Sequence, residues 1–244
     1  MKRSVKVIFH RRIPEPKVMG EQELKVFEDL SKKNYKRWLI PFVDEALGVT
    51  NMKEGKILDV GCGPGLLAKE FALRSMKLEV MGIDTSFHAI QLAQKNCEGL
   101  KNVKFQIGNV YRIPFSEKTF DLVVCKDSFH HFNSIKQALK EMLRVLKDNS
   151  VLYAQDLRRD LPQYLLQLAI PPDTILKKLQ FYSARAAYTK KEIQKLLTSL
   201  HVNTYNVRTR KLSKHMLQMY KKKGINSIRL KEGFQARYVA IIKK

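Results

Sequence analysis

The stretch "ILDVGCGPGLLAKEFA", Ile57 to Ala72, decides the fold. An apolar run ends in Asp59, crosses a knot of glycines and becomes an amphipathic helix pattern. A strand that turns through glycines into a helix brings its backbone close to a ligand. Three readings compete for the turn. A phosphate-cradling P-loop requires GxxxxGK[ST], and no Lys-Ser or Lys-Thr follows the last glycine. A dinucleotide fingerprint requires GxGxxG; Gly61 and Gly63 fit, but the third place is Leu66. The third reading is a nucleoside-binding turn without a pyrophosphate. Asp84, which ends the next apolar run in "VMGIDTS", supports it, because a carboxylate's two oxygens can accept both hydroxyls of a ribose.

Outward from the turn, short apolar runs alternate with helical patterns, the signature of βαβ units on a parallel sheet. Strands are predicted at Ile57–Val60, Leu78–Ile83, Val103–Ile107, Phe120–Cys125 and Val151–Gln155. Helices are predicted at Leu66–Leu73, Ser86–Asn96 and Ile135–Leu146, the last with Ser134 and Gln137 as a capping box. The segment 157–188 carries Pro162, Pro171 and Pro172 and reads as a helical insertion. A helix restarts after Thr189, with Glu192 completing a second capping box, and β-patterned runs follow at Val202–Thr209 and Phe234–Ile242. One helix, Glu21 to Leu47, is predicted near the N-terminus with a bend at Pro41. Strand ends of an open α/β sheet are where ligands bind, so Asp59 and Asp84 share one site in this reading.

At these residues the chain resembles a known family. "ILDVGCGPG", "GIDTS", "IGNVYRIPFSEKTFDLVVCKDSFHHF" and "ALKEMLRVLKDNSVLYAQD" are similar, in order and spacing, to motifs of the class I S-adenosylmethionine-dependent methyltransferases. Within that class they look most like the type 11 group, which includes quinone-biosynthesis methyltransferases. The resemblance runs from about Ile57 to Asp156 and resumes weakly at Tyr188–Leu200 and Tyr238–Ile242. It implies an α/β fold: a Rossmann-like doubly wound sheet of about seven strands, mostly parallel with an antiparallel last strand. It implies one domain over 1–244, with a helical cover from residues 1–50 and the 157–188 insertion over the substrate site.

The resemblance also implies roles for S-adenosyl-L-methionine as cofactor. Gly61 and Gly63 let the backbone approach its methionine part, with the Cys62 amide and Asp59 nearby. Asp84 takes the ribose hydroxyls, Thr85 and Ser86 lie beside the adenine, and Asn109 and Val110 stand at its amino group. Lys126 falls where relatives carry a small or neutral residue. An ammonium there repels a sulfonium unless it points away or finds a carboxylate. Methyl transfer is an in-line displacement, and a general base is needed only when the accepting atom carries a proton. The candidates for that base are Asp127, His130 and His131 in "KDSFHHF", with His131 favoured by the resemblance.

The acceptor is bounded more loosely. "CKDS" stands where amino-methylating nucleic-acid enzymes carry Asn/Asp-Pro-Pro-aromatic, and no Pro-Cys dipeptide of the cytosine-C5 type occurs. A small molecule is therefore the expected acceptor. Tyr35 and Trp38 near the N-terminus, and "YLLQLAI" and "ILKKLQFY" in the insertion, suit an aromatic or lipid-like one, or a peripheral contact with anionic membrane. Against this stands a formal net charge of +23 and a pI near 9.9, which attract polyanions. From His201 onward there are 12 Lys and Arg against one acid, Glu232, interleaved with Tyr220, Phe234 and Tyr238. RNA methylation is thus an alternative, as is a catalytically inactive cofactor-binding partner protein.

At 244 residues and 44% hydrophobic, the chain can bury one sizeable core. No apolar stretch approaches the ~20 residues of a membrane span. The run Val5–Phe9 is too short for a signal peptide and is broken by Lys6, which predicts a cytoplasmic protein. Cys62, Cys97 and Cys125 form no CxxC pair, so neither a disulfide framework nor a metal site is expected of them.

Overall fold

The computed structural model of the chain describes residues 12–15, 20–160, 175–209 and 237–244. Seven strands form one sheet in the order β3-β2-β1-β4-β5-β7-β6. They are β1 (Gly55–Val60), β2 (Leu78–Asp84), β3 (Val103–Ile107), β4 (Phe120–Lys126), β5 (Leu146–Leu157), β6 (Thr204–Thr209) and β7 (Arg237–Lys243). The first five pair in parallel, and β7 runs antiparallel to both β5 and β6. This is the doubly wound sheet with an antiparallel last strand that the motifs predicted. The order reverses at β1, between β2 and β4, which is the switch point where such sheets bind ligands.

The helices cover both faces. Those after the glycine turn are α4 (Leu66–Arg74), α5 (Phe87–Asn96), α6 (Ile135–Val145), α7 (Ile175–Ala186) and α8 (Lys190–Ser199). Helix α6 buries Ile135, Ala138, Leu139, Met142 and Val145, the stripe that the 3.6-residue period predicts. They join Leu58, Val123 and Tyr238 in one core on that face of the sheet. The opposite core gathers Phe42, Phe71 and Tyr153, with Phe42 meeting Tyr153 edge-on at 4.8 Å between ring centroids. Burial of Tyr238 removes it from any stacking surface.

Three local expectations are refined. Strand β5 is much longer than Val151–Gln155, because it begins directly at the end of α6 and pairs with β7 through Leu157. The N-terminal helix is three pieces: α1 (Glu21–Lys33), α2 (Tyr35–Trp38) and α3 (Ile40–Thr50). The breaks fall at Asn34 and Leu39 rather than Pro41, which sits in the first turn of α3 where a missing N–H costs nothing. The Thr189–Glu192 capping box forms in full. At Ser134 only half forms: its hydroxyl accepts the Gln137 N–H, while the Gln137 amide turns to the Tyr111 carbonyl. The basic run 210–236 and the segment "YLLQLAI" lie outside the described residues. Among the described residues, no helix is long and apolar enough to cross a membrane.

Candidate active site

The glycine turn leaves β1 and enters α4 through three left-handed glycines, Gly61, Gly63 and Gly65, at φ of 72°, 50° and 76°. They serve different ends. A Cβ on Gly65 would lie 2.7 Å from Ala93 Cβ and 2.8 Å from Phe105 Cζ, so this glycine lets α4 close against α5 and β3. A Cβ on Gly63 would meet nothing within 4 Å, because it would project into open space. The helix-packing role of the third fingerprint glycine therefore falls to Gly65, one place before Leu66.

The turn is tied to β2. Gly61 and Cys62 both donate to the Ile83 carbonyl, at 2.9 and 3.0 Å. The Cys62 amide, expected beside the cofactor, is thus already engaged within the turn. Asp84 at the end of β2 accepts the Gly63 N–H on Oδ2 (3.0 Å) and the Ser86 N–H on Oδ1 (2.9 Å). Ser86, not Asp84, caps α5. Asp59 differs from Asp84 in being 1% exposed, with an Oδ2 that has no hydrogen-bond partner. Burial, with the charge of Asp84 adding to it, pushes its pKa up to about 7.

Across the switch point, β4 ends in Lys126 and Asp127. The Lys126 ammonium is bonded to the Asp127 carboxylate, which also accepts Arg237 Nε at 2.7 Å from the first residue of β7. Lys126 has found the carboxylate that its position required. Burial lowers the Lys126 pKa, and the Arg237 charge adds to the shift. Burial would raise the Asp127 pKa, but Arg237 and Lys126 outweigh it and hold the carboxyl well below its usual range. Asp127 also has φ of 52°, an uncommon conformation away from glycine.

The two histidines that follow part company. His130 is buried, with Nδ1 2.6 Å from Asp156 Oδ1 and its backbone N–H donating to Asp156 Oδ2 at 3.0 Å. Burial pulls its pKa down, and the Asp156 charge more than restores it. His131 faces the cavity, with Nδ1 2.6 Å from Glu15 Oε2. Burial would raise the Glu15 pKa, yet its bond to His131 leaves it lowered. Arg12 fastens this segment to the turn by donating to the carbonyls of His130, Phe132 and Ala186.

These groups surround a cavity of about 460 Å³ over the carboxyl ends of β1, β2 and β4. Its floor is Asp59, Gly61, Cys62, Gly63, Asp84 and Thr85; Asn109, Val110, Lys126, Asp127 and His131 line its sides. Asn109 Oδ1 accepts the Tyr111 N–H at 2.9 Å, so one lone pair of its oxygen is spoken for. Leu24, Phe27 and Ser31 of α1, with Trp38 and Leu39, close the top. Tyr35 lies elsewhere and donates to Glu70 Oε2 at 2.7 Å. His130 is not on the wall, and neither is any described residue of α7, whose Ser183 donates to Glu15 Oε1.

A family model described as a methyltransferase domain matches residues 51–224. The chain belongs to that family. Its sheet is that of the class I methyltransferases, a class whose methyl donor is S-adenosyl-L-methionine. It is 33% identical over 39% of its length to 38% of an uncharacterised methyltransferase, YcgJ, of Bacillus subtilis. It is 32% identical over 38% of its length to 39% of a demethylmenaquinone methyltransferase of Thermotoga maritima. The chain thus spans about two-fifths of the length of these curated relatives. A solved methyltransferase structure from Aquifex aeolicus shares the fold, with a TM-score of 0.63 at 19% identity over 92% of this chain and 98% of that one.

The residues of the cavity fit such a donor. Open space at Gly63, an orphaned Asp59 oxygen and the Asp84 carboxylate all meet in one cavity. Sequence reading missed Glu15, Asp156, Arg237 and Gly65. Glu15 and Arg237 lie far along the chain from their partners, and nothing local marks them. Gly65 was visible in "GCGPG" but stood one place off the fingerprint.

Proposed function

We propose that this protein transfers a methyl group from S-adenosyl-L-methionine to a small, apolar and partly flat acceptor. One observation carries the reading: a single cavity joins the glycine turn and Asp84 to an aromatic wall of Phe27, Trp38 and Phe132. Its volume lies within the usual range for small-molecule sites, roughly 300–1,000 Å³. S-adenosyl-L-methionine, when bound, supplies a methyl on a sulfonium that is already activated for in-line displacement. The chain's own part is to hold, align and dry the reactants, for which effective molarities of roughly 10⁵–10⁸ M are attainable.

Asp84 is assigned to the ribose hydroxyls, with its own geometry fixed by the Gly63 and Ser86 amides. Asp59 offers its unpartnered oxygen to the cofactor's positive end. Lys126 is neutralised by Asp127 and so does not oppose that charge. Thr85, Asn109 and Val110 form the adenine side. The acceptor lies under Trp38 and Phe27, with its reacting atom toward His131 and Glu15. Any proton on that atom leaves at this end of the cavity. His130 and Asp127 are committed to Asp156 and to two cations, so they shape the site rather than take that proton. The demethylmenaquinone relative, by its name, acts on a quinone precursor, a molecule of the same flat and apolar kind.

Calorimetric titration with S-adenosylmethionine, its demethylated product and NAD tests the reading. Binding of the first two and not of NAD is expected. Asp84→Ala should weaken that binding by about 1.5–3 kcal/mol, the scale of hydrogen bonds to a charged group. Unchanged affinity in a folded variant would remove the ribose assignment, and binding of NAD alone would remove the whole reading.

A further inference from the structure

The Glu15, His130 and His131 side chains each present a ligand atom within 4.8 Å of the other two; Glu15 and His131 line the cavity, and His130 is buried off its wall. We propose that these three residues bind one divalent transition-metal ion there. Two imidazoles and a carboxylate are the ligand chemistry of Zn²⁺, Fe²⁺, Co²⁺ and Mn²⁺ sites that keep a coordination position open.

Four observations converge on this. First, His130 is already oriented as a ligand: Asp156, itself 1% exposed, holds Nδ1 at 2.6 Å. A carboxylate only accepts, so that pairing puts a proton on Nδ1 and orients the ring as in carboxylate–histidine–metal triads, where Nε2 is the ligand atom. Among the described residues, no hydrogen bond reaches His130 Nε2, although the side chain is only 4% exposed. Second, Glu15 is held from behind as well, since its Oε1 accepts the Ser183 hydroxyl at 2.7 Å while Oε2 meets His131. Third, the two imidazoles lie side by side, 4.1 Å between centroids and tilted by 43°, each against a carboxylate, Asp156 buried and Glu15 half-buried. Fourth, Glu15 and His131 line the cavity, so a bound ion would face it.

Binding of the ion stands on this geometry alone. Its task rests on the methyl-transfer reading: an ion there would hold an acceptor oxygen and ease loss of its proton to solvent, which selects hydroxyl or enol acceptors.

Cobalt(II) is the probe. The full chain is stripped with a chelator and titrated with Co²⁺, followed by its visible d–d absorption, beside a calorimetric titration with S-adenosylhomocysteine. One equivalent should bind to the wild type and be displaced by Zn²⁺. Glu15→Gln and His131→Ala should each weaken Co²⁺ binding at least tenfold while leaving S-adenosylhomocysteine affinity in place. Asp156→Asn, which touches no ion, should weaken it by about 10–100-fold through the orientation of His130. Absence of d–d bands, or a Co²⁺ affinity equal in wild type and both ligand variants, would overturn the site. Loss of S-adenosylhomocysteine binding with Co²⁺ binding intact would instead count against the cofactor reading.

Discussion

Asp59 and Asp84 are the same residue type at the ends of neighbouring strands, yet their surroundings divide their work. Asp84 accepts a backbone amide on each oxygen and is held within a hydrogen-bonded turn. Asp59 is buried with an unpartnered oxygen and has a pKa pushed up to about 7. A proton therefore competes with the cofactor's positive charge for Asp59. The sign follows: a cation prefers the ionised carboxylate, so affinity should rise as pH rises through about 7 and level off above it. Calorimetry across that interval should show S-adenosylmethionine binding weakening by at most about tenfold per pH unit on the acid side. Proton release should accompany binding there. Asp59→Asn should flatten the profile; a profile that stays steep in that variant would place the titrating group elsewhere.

At the scale of the element, the strand–turn–helix unit was legible because its chemistry is local. Asp59, Gly61 and Gly63 sit where a strand ends, and the alternation on either side states which segment is strand and which is helix. What escaped was the helix-packing glycine, since the 2.7 Å approach to Ala93 depends on where α5 lies. Gly65→Ala combines a left-handed φ with that clash, so it should cost about 2–4 kcal/mol from the two causes together. Denaturant unfolding should show the loss. A stability within experimental error of the wild type would mean that α4 can shift outward without penalty. The N-terminal helices show the converse limit. Their breaks fall at Asn34 and Leu39, where no local signal outweighs the evident Pro41.

Over the whole molecule, the strand order was legible from the family motifs, and the cross-links between distant segments were not. Asp127 is 110 residues from Arg237, and His131 is 116 from Glu15, so neither pair leaves a pattern in composition or periodicity. The Asp127 ion pairs couple β7 to β4 across β5. Arg237→Met should destabilise the fold by about 3 kcal/mol, the lower range for breaking a buried pair, because Lys126 remains to share the charge. The acid limb carries a further sign. Asp127's carboxyl is held low, so its contribution is present above about pH 4, the ordinary carboxylate value, and is lost as pH falls below it. Melting curves on the acid side should separate wild type from variant less and less as that charge is titrated.

The last strand also has a place in time. β7 is the final element in the described chain, yet it enters between β5 and β6 and delivers Arg237 to the end of β4. A ribosome emits the chain from its other end, so β1 to β4 and the glycine turn emerge while β5 still has an open edge. The two-cation lock on Asp127 cannot close until residue 237 has left the exit tunnel. A nascent or prematurely released chain therefore holds an unfinished site beside an unpaired strand, the state that chaperones and proteases recognise. Late insertion of β7 makes emergence of residue 237 a condition for closing the lock on Asp127.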